Sequence, residues 1–540
     1  MTQSVEIVNE IRYNETTKEE VAMKSAKKVF SIILCAVLML SVFVPAVSAT
    51  GEKNIPIVFV GGRGTTLHDK DCNQIYPMDF DKKQYILDAC KEILPLLGTA
   101  VLTNNYDKYC DAFYEKVAAV YEEVVLPPSG VPENGSHSPF SWTKQGLTKK
   151  VRKDSDPYRL YDFAFYYDWR IDMWSVADDL NTYINDVIDV TGSSKVNLVG
   201  RCMGGNIVAA YLTKYGADKI NKCIFYATTA NGTAECGGPF SGQLEVNGDA
   251  LARYASDILG DDCLNEFIRT ALDLYNESTG MKLPVGMVTF IYNKIYENLV
   301  PRLLMSTYAS FPSYWEMVDP AHYEAAKEFA FAGKEAEYAG FIAQIDNYHY
   351  NVLLPLHDTL KTLAENGLPV YVVAKYGKQM VPVIKEADCL GDDTVELTSS
   401  SFGATCSKVN STLSKDYIAS QTEKGLERYL SPDKQVDAST CLFPDKTWFI
   451  KDSKHMDFIK AIDELMLTIL RFDGDMTVND NASYPQYMVQ IEGTTIEPMT
   501  SDNMGTDSRW NPNLFKAIFN FFTALFNLLA QAVRNGGFKK

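Results

Sequence analysis

The sequence predicts an α/β fold with a mostly parallel central sheet, helices on both faces and an inserted helical cap. Three observations carry that expectation. Short β-rich apolar runs alternate with amphipathic stretches of helical length; the alternation stops between residues 231 and 360; and it resumes afterwards in the same style.

The first run, IPIVFV (Ile55 to Val60), ends in Gly61-Gly62-Arg63-Gly64, a strand feeding a tight loop. The second, FAFYYDWR (Phe163 to Arg170), leads into an amphipathic stretch from Ile171 to Val190 closed by Gly192. VNLVG follows, then a turn, then NIVAAYLTKYG, whose apolar residues recur at helical spacing until Gly216. KCIFYATT completes the first half, residues 50–230. Residues 231–360 are rich in Tyr, Phe, Leu and Met without strand-like runs, and read as the cap. The second half, 361–472, offers LPVYVVAKYG, TVELTSS and KTWFIKD as strands and FIKAIDELMLTILRF as a helix.

At either end the composition changes. Residues 1–49 hold KSAKKVFSIILCAVLMLSVFVPAVSA, a basic, then apolar, then small-residue pattern that predicts a secretory signal cleaved after Ala49; Met23 just before it is an alternative start. Residues 473–511 are polar and read as a linker; they lack the ligand spacing of a calcium loop. In 512–540, Asn513, Lys516, Asn520, Thr523 and Asn527 form one polar stripe on an otherwise apolar helix, suited to a membrane surface, to self-packing or to docking on the chain's own core.

Composition narrows the function. With 46% hydrophobic and 22% charged residues the chain is globular, and 51 basic against 69 acidic residues, a formal charge of -18, argue against nucleic acid as a partner. Among eleven cysteines, setting aside Cys35 in the signal-like segment and Cys202 in the turn leaves an odd number at irregular spacing, which is no disulfide framework; bridges within Cys389, Cys406 and Cys441 stay open. No metal-ligand spacing occurs, and neither a metal nor a cofactor is expected.

Gly200-Arg201-Cys202-Met203-Gly204 fits the nucleophile elbow of an α/β-hydrolase fold, with cysteine as nucleophile: an apolar strand enters it and an amphipathic helix leaves it. The helix N-terminus there favours a thiolate. Arg201 reads as a surface arginine. Backbone N–H groups of Met203 and Arg63 are the expected oxyanion donors. In chain order the fold places nucleophile, acid and histidine. Asp392 and Asp393 are the candidate acids, with Asp392 preferred, and His455 is the only histidine beyond them; His68, His137, His322, His349 and His357 need only structural roles.

PIVFVGGRG, YYDWR, VNLVGRCMGG, PRLLMSTYASFPSYW, GDDTV and KHMDF, spread over some 400 residues, together resemble the lecithin:cholesterol acyltransferase family. The resemblance implies cleavage of a fatty acyl ester through an acyl-enzyme, with transfer to an alcohol or to water, and a lipid-binding cap near Ser310 to Trp315. It also implies that Trp169 and Asp168 belong to the substrate wall, beside the alternative that this motif shapes the strand end. Two departures stand out: that family's elbow is G-H-S-x-G, and its Pro-Gly after the first strand is here Gly61-Gly62.

The expected function is therefore a secreted lipid ester hydrolase or O-acyltransferase acting through Cys202, Asp392 and His455. Two alternatives stay open. Cysteine elbows also occur in polyhydroxyalkanoate synthases, although export would separate such an enzyme from acyl-CoA. A surface or membrane-binding protein that kept the fold and lost catalysis is the other.

Overall fold

The computed structural model describes residues 55–64, 66–77, 103–138, 159–243, 301–381 and 384–504, with isolated positions between 89 and 100 and between 250 and 299. The expected signal, residues 244–249 and most of 251–300 of the expected cap, and the C-terminal helix lie outside the described residues. Among the described residues no helix is long and apolar enough to cross a membrane.

Eight strands form one sheet: β1 (Ile57–Val60), β2 (Ala164–Phe165), β3 (Val196–Arg201), β4 (Ile220–Tyr226), β5 (Val370–Tyr376), β6 (Thr447–Lys451), β7 (Tyr487–Ile491) and β8 (Thr495–Pro498). Their spatial order is β8-β7-β6-β5-β4-β3-β1-β2, and every neighbouring pair is parallel except β7 with β8. Parallel strands need crossovers that cover both faces, so β3 and β5 are buried along their whole length. Side chains alternate between two cores. Val58, Val60, Leu198 and Val372 face helices α1 (Met173–Thr191) and α2 (Met203–Tyr215), whereas Phe59, Val199, Ile224, Val373 and Ile450 face helix α3 (Lys460–Arg471).

Local chemistry sets the helix ends. The Asp172 carboxylate caps α1 by accepting from Trp174 N at 3.2 Å and Ser175 N at 2.9 Å, and Gly192, at φ 73°, closes it in the left-handed conformation. On α3, Ile462, Leu465, Met466, Ile469 and Leu470 are buried at the i, i+3, i+4, i+7, i+8 spacing of a single apolar stripe.

The cap is fastened to the core behind the elbow. Glu316, fully buried, accepts from Met173 N at 2.9 Å, its own carbonyl accepts from the Asn206 side chain at 3.0 Å, and the Tyr348 hydroxyl donates to Asn206 O at 3.0 Å. Aromatic packing around Trp315, which meets Phe331 at 4.9 Å and Phe240 at 5.1 Å between ring centres, fills the space between.

Three expectations are corrected. Residues 473–511 are not simply a linker: β7 lies fully within the sheet with Tyr487, Met488 and Val489 buried, and β8 returns beside it through Glu492 and Gly493, at φ 50° and 71°. A five-residue strand among polar neighbours has too little apolar length to stand out in the sequence. TVELTSS is not a strand, because Leu397–Ser400 forms a helical turn. Only Ala164–Phe165 of the FAFYYDWR run pairs in the sheet. The eight described cysteines, Cys389, Cys406 and Cys441 among them, are free thiols.

Candidate active site

Strand β3 runs into Cys202, which adopts φ 52° and ψ -131° before α2 begins. A non-glycine residue in that region is strained, and here the surrounding backbone enforces it. The turn is too tight for larger neighbours: a Cβ at Gly200 would lie 2.9 Å from Gly205 Cα, and one at Gly204 would lie 2.2 Å from Val60 O. Cys202 N donates to Tyr226 O at 3.1 Å and Cys202 O accepts from Gly205 N at 2.9 Å, so both sides of the turn are tied down.

Asp392 and His455 come from segments beyond β5 and β6. Asp392 is fully buried; its Oδ2 meets His455 Nδ1 at 2.7 Å, and its Oδ1 accepts from Val395 N at 2.8 Å and Thr394 N at 3.2 Å. The backbones join as well, His455 N donating to Asp392 O at 2.6 Å. Asp393 sits at φ 82° and its carboxylate accepts from the Thr394 hydroxyl instead. His455 Nε2 is buried, and the neighbouring Cys202 thiol is the titrating group with which the imidazole interacts.

Their charges reinforce each other. Burial alone would raise the Cys202 thiol, but the His455 imidazolium and, behind it, Arg201 and the Met203 N–H bring it below its ordinary value. Burial would lower His455, yet Asp392 and the Cys202 thiolate push it up to about 10. Both directions favour a thiolate–imidazolium pair.

The Gly61–Gly64 loop closes over the thiol, since a Cβ on Gly62 would stand 2.9 Å from Cys202 Cβ and 3.2 Å from its Sγ. The next backbone N–H, that of Arg63, has no acceptor among the described residues. The loop is supported by the Tyr167 hydroxyl, which donates to Gly61 O at 2.9 Å, and by Trp169, 2.9 Å from where a Cβ of Gly64 would be. Trp169 is buried beneath that loop, while the Asp168 carboxylate is engaged by Arg170 Nη2 at 2.7 Å. Arg170 is buried and also donates to Val124 O and to Ser136, so this pair ties the segment after β2 to the chain around Val124 and Ser136.

The sequence reading misplaced Arg201. It is buried, its Nη2 donates to His455 O at 2.6 Å, and its guanidinium lies 4.1 Å from the centre of the Phe458 ring. Lys375 reaches the same segment, donating to Lys454 O at 2.9 Å and Asp457 O at 2.7 Å. Two cations thus hold the carbonyls of the histidine loop. The alternation of β3 did place Arg201 opposite Gly200, but the loop it meets is 254 residues away. Glu235, after β4, is a second residue the sequence did not reveal: burial, with Glu396 beside it, raises its carboxyl well above the usual range, against the pull of the His455 charge.

The other histidines lie elsewhere: His68 and His137 pair through their backbones at 2.8 Å, His322 Nδ1 contacts Asp319 at 2.8 Å, His349 stacks on Tyr323 at 3.6 Å, and His357 contacts Asn231 at 3.1 Å. Among the described residues no cluster of His, Cys, Asp or Glu could hold a metal ion.

A family profile described as alpha/beta hydrolase fold matches residues 137–246, the stretch containing β3, the elbow and α2. No curated protein matches the sequence. Solved structures with some likeness include a chain of the Tle4–Tli4 complex (14% identity, 64% of this chain and 89% of that one, TM-score 0.26). A serine hydrolase from the polyaromatic-hydrocarbon-degrading bacterium Cycloclasticus zankles (11%, 60% and 73%, 0.18) and a bromoperoxidase from Bacillus anthracis (14%, 34% and 74%, 0.10) are similar at a lower level. With its eight-stranded, mostly parallel sheet flanked by helices and its elbow between β3 and α2, this chain has the α/β-hydrolase fold.

Proposed function

We propose that the protein is an exported lipid ester hydrolase or O-acyltransferase, similar to the lecithin:cholesterol acyltransferase family, that works through an acyl-thioester on Cys202. The observation that carries this reading is the Asp392 carboxylate on His455 Nδ1, with the imidazole and the Cys202 thiol acting on each other's charge, at a strained elbow whose helix begins at the thiol.

In the first half-reaction the Cys202 thiolate attacks the ester carbonyl carbon, and the carbonyl electron pair moves to oxygen, facing the N–H groups of Met203 and Arg63. When the tetrahedral adduct collapses, the C–O bond to the alcohol breaks and the departing oxygen takes the Nε2 proton of His455. In the second half, water or an alcohol gives a proton to Nε2 and attacks the thioester carbonyl. The C–S bond then breaks, returning thiolate beside imidazolium. Asp392 holds Nδ1–H throughout and keeps Nε2 aimed at the reaction.

Export is supported by the basic, apolar and small-residue order of residues 24–49, and contact with a membrane surface by the amphipathic pattern after residue 512. Intact mass after exposure to p-nitrophenyl esters of fatty acids tests the chemistry. One acyl group should be gained, removed by neutral hydroxylamine as thioesters are, and absent from Cys202→Ala. No adduct with any ester would overturn the proposal.

A further inference from the structure

The Arg63 side chain does something its backbone role does not require. Arg63 as a residue is exposed, and its guanidinium lies among aromatic groups: the centres of the Tyr76, Trp169 and Tyr308 rings lie 5.7, 5.0 and 5.6 Å from its Cζ. Nη1 donates to the hydroxyls of Tyr314 at 3.0 Å and Tyr308 at 3.4 Å, and Nη2 to that of Tyr76 at 3.2 Å. All three acceptors are phenol oxygens. Among the described residues no carboxylate pairs with Arg63, in a chain carrying a formal charge of -18.

Donors outnumber acceptors here. A guanidinium has five N–H groups, and each phenol adds an O–H. The Tyr308 oxygen already meets Arg63 and the Tyr121 hydroxyl, the latter at 2.9 Å, and among the described residues neither Tyr308 nor Tyr314 bonds to a carbonyl or carboxylate oxygen. Burial would raise Tyr308, yet the donors converging on it from Tyr121, Arg63 and Tyr76 lower it, whereas Tyr76, Tyr121 and Tyr314 are raised, so Tyr308 is where the donors of the cluster meet. Position matters as much as charge, because Arg63 follows the glycine that packs on the Cys202 thiol.

We infer that Arg63, with the hydroxyls of Tyr308 and Tyr314, forms an anion subsite beside the nucleophile, selecting acyl esters that carry a carboxylate or phosphate group a short distance from the scissile bond. The inference rests on the acyl-transfer reading for its substrate, but the subsite itself does not need turnover. An anion placed there would supply the missing countercharge and accept the spare N–H and O–H donors. Charge-assisted bonds of this kind are the strong ones, so the preference should be about tenfold or more over a neutral isostere.

Two measurements test it separately. In the first, kcat/KM is compared for aryl esters whose acyl chains differ only in ending with methyl, carboxylate or phosphate. The wild type should favour at least one anionic ester by about tenfold, Arg63→Gln should abolish that ratio, and Arg63→Lys should retain part of it. In the second, Cys202→Ala is titrated calorimetrically with dodecanoate, dodecyl phosphate and dodecanol; anions should bind more tightly than the alcohol, and the tighter of the two identifies the group. Turnover of neutral and anionic esters alike, with equal binding, would overturn the subsite while leaving the acyl-enzyme intact. Anion binding lost in Cys202→Ala/Arg63→Gln, without turnover of any ester, would support the subsite and overturn the catalytic reading instead.

Discussion

Cys202 and His455 reach the same point in the molecule by different means. The thiol is positioned by its own neighbours in sequence: a buried strand before it, glycines around it, and a helix starting at once after it. The imidazole is positioned by residues far away in the chain, namely Asp392 on Nδ1 and Arg201 and Lys375 on the loop carbonyls. A nucleophile built locally is rigid by construction, whereas a base built from distant contacts depends on each of them. Substitutions in the two regions should therefore fail differently, with folding affected first at the elbow and proton transfer first at the histidine loop.

The largest effect is expected at the imidazole. His455→Asn should lower kcat/KM for ester cleavage by roughly a millionfold, as loss of a triad base does elsewhere. It should also change how Cys202 titrates. In the wild type the raised His455 value contributes stability that is complete below its ordinary 6.5 and is lost as pH rises through about 10. The lowered Cys202 value contributes stability present above the ordinary thiol range and lost as pH falls through its folded value. The ion pair thus spans the interval between the two folded values. Iodoacetamide alkylation of the wild type should have its midpoint below the ordinary thiol value of about 8.5, and His455→Asn should move it up to that value or beyond. Equal midpoints in the two proteins would remove the ion pair.

At the elbow the expected failure is structural. Gly204→Ala would put a methyl group 2.2 Å from Val60 O, where only backbone can yield. A fall in unfolding free energy of about 1–3 kcal/mol or more, read by thermal or denaturant melting, should accompany whatever happens to activity. Arg201→Gln should do less and do it at the other end of the comparison. The fold should persist, while kcat falls about tenfold through loss of a buried charge-assisted bond to the histidine loop. Since Arg201 also helps lower the Cys202 value, the alkylation midpoint should rise with it. A normal midpoint with reduced kcat would assign Arg201 to loop position alone.

The same contrast explains how much of the molecule was legible in the sequence. β1, β3, β4, β5, β6 and the helices α1, α2 and α3 appear as periodic apolar patterns because parallel strands and their covering helices bury continuous runs and stripes. The turn at Cys202 was legible because its geometry leaves glycines behind. Arg201, Lys375 and Glu235 were not, since their partners lie more than 75 residues away or are charges rather than neighbours in sequence. β7 was hidden for another reason: five residues between polar turns carry too little pattern, although the sheet edge they complete is buried.

The smallest effect is expected where the sequence offered two adjacent candidates. Asp392 and Asp393 differ by one position, and the backbone sends their side chains to different surroundings. Asp392 has one oxygen on His455 and the other on two backbone N–H groups, so both oxygens are held by fixed donors. Asp393, at φ 82°, is left with the Thr394 hydroxyl, and its carboxyl is raised by burial and by the neighbouring Asp392 charge. Asn tolerates positive φ well. Asp393→Asn should therefore change kcat/KM by only about twofold and relieve a like-charge neighbour, whereas Asp392→Asn, which offers Nδ1–H no carboxylate and favours the wrong tautomer, should cost about 10³–10⁴-fold. Reversal of that order in steady-state kinetics would transfer the orienting role to Asp393.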